Sequence, residues 1–131
     1  MREKLEKLLK NSYSPYSNYP VSCIIVTNDN KEYNGVNIEN ASYGATICAE
    51  RSAISRAISD GYKKGDFKEI HIMNKTDKIG FPCFICRQVL IEFMDDDTKV
   101  FLYTKDKMEV YSLGELTPHK FDKDSLWKVD L

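Results

Sequence analysis

Leu5, Leu8 and Leu9 fall at helical spacing in a segment otherwise made of charged residues, so the chain opens with a helix that lays one apolar face on a partner surface. Ser14, Pro15 and Asn18 then mark a loop. Val21 to Thr27 is dense in β-branched residues, and Asn28-Asp29-Asn30 separates it from Glu32 to Val36, which predicts an antiparallel hairpin. Further on, Ile47, Ala53, Ile54, Ala57 and Ile58 recur at three and four, predicting a second helix from near Thr46 to Asp60 with Gly61 as its stop. Ile70 to Met73 is a short apolar run that fits a strand. Pro82 suits the first turn of a third helix, where its absent N–H has no partner to lose, and Val89, Leu90 and Phe93 continue that helix. Val100 to Tyr103 and Glu109 to Tyr111 predict further strands, and Ser112 to Leu116 a short capped helix. Beyond Pro118 no period is legible.

The element order αββαβαβ(β)α predicts an α/β fold in three layers, a mixed five-stranded sheet flanked by helices, with parallel pairing among the later strands. In such a sheet a ligand binds beyond the carboxyl ends of the parallel strands, where helices begin. The length of 131 residues predicts one domain over residues 1–131. Lys and Arg number 19 against 20 Asp and Glu, with the signs mixed, which argues against nucleic acid or a membrane surface as partner. No apolar run approaches the ~20 residues of a membrane span, and the charged opening has no signal-peptide core, so the expected location is the cytoplasm. In that reducing setting Cys23, Cys48, Cys83 and Cys86 are expected as metal ligands, catalytic groups or buried thiols rather than disulfides.

Three of these cysteines stand at two helix starts, in Cys48-Ala49-Glu50 and in Pro82-Cys83-Phe84-Ile85-Cys86. The positive end of a helix favours thiolate, the form that binds metal. Cys83 and Cys86 lie within one helical turn and can face a single ion, which Cys48 completes from the neighbouring helix; three soft donors suit zinc. The remaining candidates read otherwise: Cys23 as a buried thiol, His71 as a residue on the sheet surface, His119 as an exposed loop residue. Three protein ligands leave a zinc position for water, which marks a catalytic site, and Glu50, two residues after a ligand, is placed to move protons for that water. The 35 positions between Cys48 and Cys83, with Pro before the pair, match the three-cysteine form of the zinc-deaminase signature.

Val36-Asn37-Ile38-Glu39-Asn40-Ala41-Ser42-Tyr43-Gly44, Ile47-Cys48-Ala49-Glu50-Arg51 and Cys86-Arg87-Gln88-Val89-Leu90 together resemble the cytidine deaminase family in its small homotetrameric type, and Tyr13 to Val21 resembles its N-terminal segment. The resemblance implies hydrolysis of cytidine and deoxycytidine to uridine and deoxyuridine with release of ammonia, with one Zn2+ per subunit and water as co-substrate. It implies that Asn37 and Glu39 hold the ribose hydroxyls and that the Ala49 backbone N–H takes the base carbonyl. Tyr19, where the family usually has Phe, would lie against the base. Tyr43 and Phe121 would line sites shared between the subunits of a homotetramer. Arg51 and Gln88 would donate to the zinc thiolates, withdrawing charge from sulfur. Glu50 would serve as base and then as acid.

Phe81-Pro82-Cys83-Phe84 departs from the family's usual Ser-Pro-Cys-Gly, which makes Phe81 and Phe84 candidates for specificity toward the region of the exocyclic amine. Ala45 stands where Leu is usual and would make room for Phe84. Competing readings are a deaminase of a modified cytosine nucleoside or of a blasticidin-type antibiotic, and a zinc-stabilised interaction domain in which Glu50 only compensates a helix dipole.

Overall fold

The computed structural model describes residues 1–126. The helix predicted at the start is α1, Arg2–Leu9, and the hairpin is β1, Val21–Thr27, with β2, Glu32–Val36. A single 3-10 turn at Tyr43–Ala45 precedes α2, Ala49–Ser59; β3 follows at Phe67–Asn74, then α3 at Phe84–Phe93. Strands β4, Lys99–Tyr103, and β5, Met108–Ser112, lead into α4, Leu113–Leu116, and a last 3-10 turn covers Lys123–Ser125. The short α4 is held by a capping box: Glu115 N–H donates to Ser112 Oγ, and Ser112 N–H donates to the Glu115 carboxylate.

The five strands form one sheet in the order β2-β1-β3-β4-β5. Only β3 and β4 pair in parallel; β1 is antiparallel to both its neighbours, and β5 returns antiparallel to β4. Parallel pairing among the later strands therefore stops at one pair, because Thr104 to Lys107 closes a tight turn, with Thr104 N–H donating to Lys107 O, and a tight turn can only reverse the chain. Both helical crossovers still join strands of one direction, β2 to β3 through α2 and β3 to β4 through α3.

Each face of the sheet has its own core. Cys23, Ile25, Ile70, Ile72, Val100 and Leu102 pack under α2 and α3 with Ala53, Ile54, Ala57 and Leu90, while Ile24, Val26, Met73 and Tyr103 pack under α1 with Leu5. The period of two in the strands sorts these residues to opposite faces, giving the three layers. α2 turns a strip of Ala to the sheet and comes close to β2: a Cβ at Gly35 would lie 2.5 Å from Ala53 N and 2.6 Å from Ala49 O. Only glycine permits that approach, and it sets how near the start of α2 lies to the end of β2.

Two helix starts differ from the sequence pattern. α2 begins at Ala49 rather than near Thr46, because Ile47 spends both backbone groups on Ile38, at 2.9 and 3.0 Å. α3 begins at Phe84, with Pro82 outside it, because Cys83 caps the helix by accepting the Cys86 N–H on its sulfur at 3.4 Å. His71 is also not on the sheet surface as expected. It is 5% exposed, stacked on Phe101 at 4.3 Å between ring centres, with Nδ1 2.8 Å from the Tyr103 hydroxyl and Nε2 3.1 Å from Glu69. Cys23 is fully buried and His119 exposed, as read from the sequence. No helix among the described residues is long and apolar enough to cross a membrane.

Candidate active site

A cavity of about 390 Å³ lies where β2 and β3 end and α2 and α3 begin. The carboxyl-end rule for α/β sheets thus holds here. Tyr19, Asn37, Glu39, Cys48, Ala49, Glu50 and Cys83 line it, and with them Phe81. The volume is that of a small-molecule site.

The two helix starts bring the three thiols together. Sγ atoms of Cys48, Cys83 and Cys86 all lie within 4.8 Å of one another, with Cys48 and Cys83 3.9 Å apart. Thiolates around a zinc ion at ~2.3 Å in tetrahedral array sit roughly 3.8 Å from each other, so the donor set fits that ion in both chemistry and spacing. Arg51 Nη2 donates to Cys48 Sγ at 3.6 Å and to Thr46 O at 3.2 Å. Its Nε is buried without a partner, a guanidinium N–H held beside sulfurs that gain negative charge on binding a metal. The Cys48 thiol is pulled down to about 5, first by its bond with Cys86 and then by Arg51 and Cys83. That shared bond, with burial, pushes the Cys86 thiol up.

Glu50 is 4% exposed in the first turn of α2. Burial lifts its carboxyl to about 7, and the charge on Cys48 pushes the same way. A carboxyl that titrates near neutrality can both take and give a proton there. The dipole of α2 alone does not require such burial.

Tyr19 reaches across the cavity: its hydroxyl lies so near Gly80 that a Cβ there would meet it at 2.7 Å, and the Asn74 amide nitrogen at the same distance. Burial and the charge of Glu50 raise the Tyr19 hydroxyl's pKa, which places that hydroxyl in the carboxylate's field. Asn37 is 8% exposed; its Oδ1 accepts from Val21 N–H at 3.0 Å and from Ser12 Oγ, and its Nδ2 donates to Tyr19 O at 2.8 Å. Ala49 is the first residue of α2, where backbone N–H groups have no partner within the helix.

The family model of the cytidine and deoxycytidylate deaminase zinc-binding region matches residues 1–103. The chain belongs to the cytidine and deoxycytidylate deaminase family. Its relatives include the cytidine deaminase of Mycoplasma genitalium, 39% identical over 122 residues that cover 92% of each chain. Another, the cytidine deaminase of Sporosarcina psychrophila, is 37% identical across 92% of this chain and 88% of its own. Among solved structures, cytidine deaminase from Burkholderia pseudomallei superposes with a TM-score of 0.87 at 40% identity, covering 91% of this chain and 94% of that one. The deaminase fold and a zinc-binding region are thereby shown for this chain, and Cys48, Cys83 and Cys86 are its clustered donor set.

Of the residues expected at the site, Gln88 lies elsewhere, and Tyr43 and Phe121, expected in sites shared between subunits, lie outside this chain's own cavity. Gln88 does not donate to the thiols: its Nε2 donates to Phe121 O at 2.8 Å. Two positions past Cys86 is about 200° around a helix, so its side chain leaves on the far side. Phe121, 58% exposed, lines a separate hollow of about 610 Å³ between α3 and the segment after α4. Tyr43 is 75% exposed on the 3-10 turn, edge-on to Tyr16 with ring centres 6.1 Å apart, and is not part of the cavity wall. Of the two departures from the family pattern, Phe81 lines both the cavity and the second hollow, while Phe84 lines only the latter, under the Arg87 guanidinium at 4.3 Å. Sequence reasoning missed Ser17, Asn74 and Gly80 in the cavity wall. It left Arg87 without a role; that guanidinium donates to Pro82 O at 2.7 Å and to Leu116 O at 2.9 Å, fixing the turn before Cys83.

Proposed function

We propose that the protein hydrolyses cytidine and deoxycytidine to uridine and deoxyuridine with release of ammonia, a step of pyrimidine salvage in the cytoplasm, and that residues 1–131 are a single catalytic domain. The observation that carries this reading is the buried Glu50 carboxyl on the same helix start as Cys48, lining a nucleoside-sized cavity beside a cluster of three convergent thiols.

Cys48, Cys83 and Cys86 would hold one zinc ion, and when bound the ion polarises and acidifies a water molecule. Glu50 takes a proton from the attacking water and delivers it to ring nitrogen 3 as the oxygen bonds to carbon 4. The second proton of that oxygen passes through the same carboxylate to the amine, which leaves as ammonia when its bond to carbon 4 breaks. Nitrogen 3 keeps its hydrogen and carbon 4 becomes a carbonyl. One carboxylate near neutrality therefore covers both transfers. Arg51 draws charge from Cys48 by its hydrogen bond. In the cavity Tyr19 supports the base, the Ala49 N–H takes its carbonyl, and Asn37 and Glu39 meet the ribose. In a homotetramer, Tyr43 and Phe121 of neighbouring copies would complete each site; their exposure in one chain supports that reading.

Purified zinc-loaded protein given cytidine should yield uridine and ammonia in equal amounts, with zinc measured on the same sample. Glu50→Gln should keep the zinc and lose at least ~100-fold in kcat. Turnover by Glu50→Gln would remove the proposed role.

A further inference from the structure

The loop that carries Tyr19 is built on Asn37 to Glu39, just past β2. Tyr13 N–H donates to Asn37 O at 3.0 Å and Glu39 N–H to Tyr13 O at 2.8 Å, a parallel bridge that holds the loop's root. At its tip the Glu39 carboxylate gathers three donors. Oε1 accepts the Tyr16 and Ser17 N–H groups, each at 3.0 Å, and Oε2 accepts the Ser17 hydroxyl. Ser17 Oγ in turn accepts the Tyr19 N–H at 3.0 Å. A serine hydroxyl has one hydrogen to give, and here it goes to Glu39, so Ser17 has none left to offer a ligand. It lines the cavity together with the two residues it bonds, Tyr19 and Glu39.

We infer that Ser17 is a positioning residue of the substrate cavity, its hydroxyl fixing the Glu39 carboxylate and the Tyr19 backbone relative to each other. The inference rests on the proposed function in one respect, that Glu39 and Tyr19 meet a nucleoside. The Ser17 hydrogen bonds run to Glu39 and Tyr19 and not to the thiols or Glu50, so its contribution falls on binding and not on the proton transfers. In Ser17→Ala the Oε2 atom loses its donor and the Tyr19 N–H its acceptor, while Oε1 keeps both backbone bonds; the carboxylate is held at one atom and free to turn. The side chain is exposed, so Ala is tolerated by the fold and Thr, which keeps the hydroxyl, has room for its methyl group.

Steady-state kinetics on cytidine with zinc-loaded protein test this. Ser17→Ala should raise KM roughly tenfold, the scale of a hydrogen bond to a charged group, with kcat within about twofold of wild type, and Ser17→Thr should restore KM. In a Glu39→Gln background the same Ala substitution should raise KM by less, since the partner is already altered. A carbon-13 titration of the Glu39 carboxyl gives a readout independent of turnover: its pKa is held down chiefly by the Ser17 hydroxyl and should move up in Ser17→Ala and not in Ser17→Thr. Unchanged KM in Ser17→Ala, a loss confined to kcat, or a Glu39 titration that does not move would overturn the inference. Wild-type protein that fails to turn over cytidine would instead sink the proposed function, and the titration would still decide the role of Ser17.

Discussion

At the scale of single residues, the site separates side chains whose chemistry is local from those whose direction depends on the fold. Cys48, Cys83, Cys86 and Glu50 were legible from spacing alone, because each sits within one turn of a helix start and the geometry of that turn is fixed by the sequence. Arg51 came from the family resemblance, and its expected bond to a thiol is present. Replacing it with Ala should lower zinc affinity by about 10- to 100-fold, measured by competition with a chelator, and Lys should not fully restore it, since a point charge cannot reach Cys48 and Thr46 O in one plane. Gln88 was misread because adjacency in sequence was taken for adjacency in space. Ser17 lies within the family-like segment Tyr13 to Val21 and Asn74 in no motif, and neither was given a role; only their hydrogen bonds show what they hold. Phe81 lines both the cavity and the second hollow, so Phe81→Gly should enlarge the cavity toward that hollow. The ratio of kcat/KM for 5- or N4-substituted cytidines to that for cytidine should then rise by about tenfold or more.

Among elements, every helix and strand expected between Met1 and Leu116 is present, and the errors lie at ends. α1, β1 and β2 have their limits set by local pattern: apolar period, β-branched run, Asn-Asp-Asn turn. α2 and α3 start late because non-local partners intervene, Ile38 taking the backbone of Ile47 and a thiol capping α3. These late starts put Cys48 and Cys83 at the N-cap positions, where their backbones are still extended and their side chains turn toward the cavity. The closeness of β2 to α2 was not legible, since a lone Gly in a strand has several readings. Gly35→Ala forces a Cβ against two backbone atoms that cannot swing aside, and should destabilise the protein by about 2 kcal/mol or more in urea denaturation. Because the start of α2 moves with it, the variant should also bind zinc more weakly.

The whole molecule adds two dependences that its parts do not show. His71 is buried on the α1 face against Phe101, Tyr103 and Glu69, and loss of solvation lowers its pKa despite the nearby carboxylate. A histidine depressed in the folded state is protonated first in the unfolded chain, so its share of stability is complete above the ordinary histidine value of ~6.5 and is lost as pH falls from there through the folded value. Glu50, raised to about 7 by burial, acts in the opposite direction over part of that range, so the comparison must be with a variant. The difference in unfolding free energy between wild type and His71→Gln, followed from pH 7.5 to 5, should shrink as pH falls. The second dependence concerns α2 and α3, the two crossovers of one sheet face, each of which brings a sulfur to within 3.9 Å of the other's. Stripped of metal, that pair is a dithiol one small movement from a disulfide. Dissolved oxygen, reduced to hydrogen peroxide, would take two electrons from the sulfurs and leave a covalent staple between the crossovers, locking the helix starts and closing the donor set. Protein stripped in air should therefore refuse zinc until a reductant is added, whereas protein stripped under reductant reloads at once.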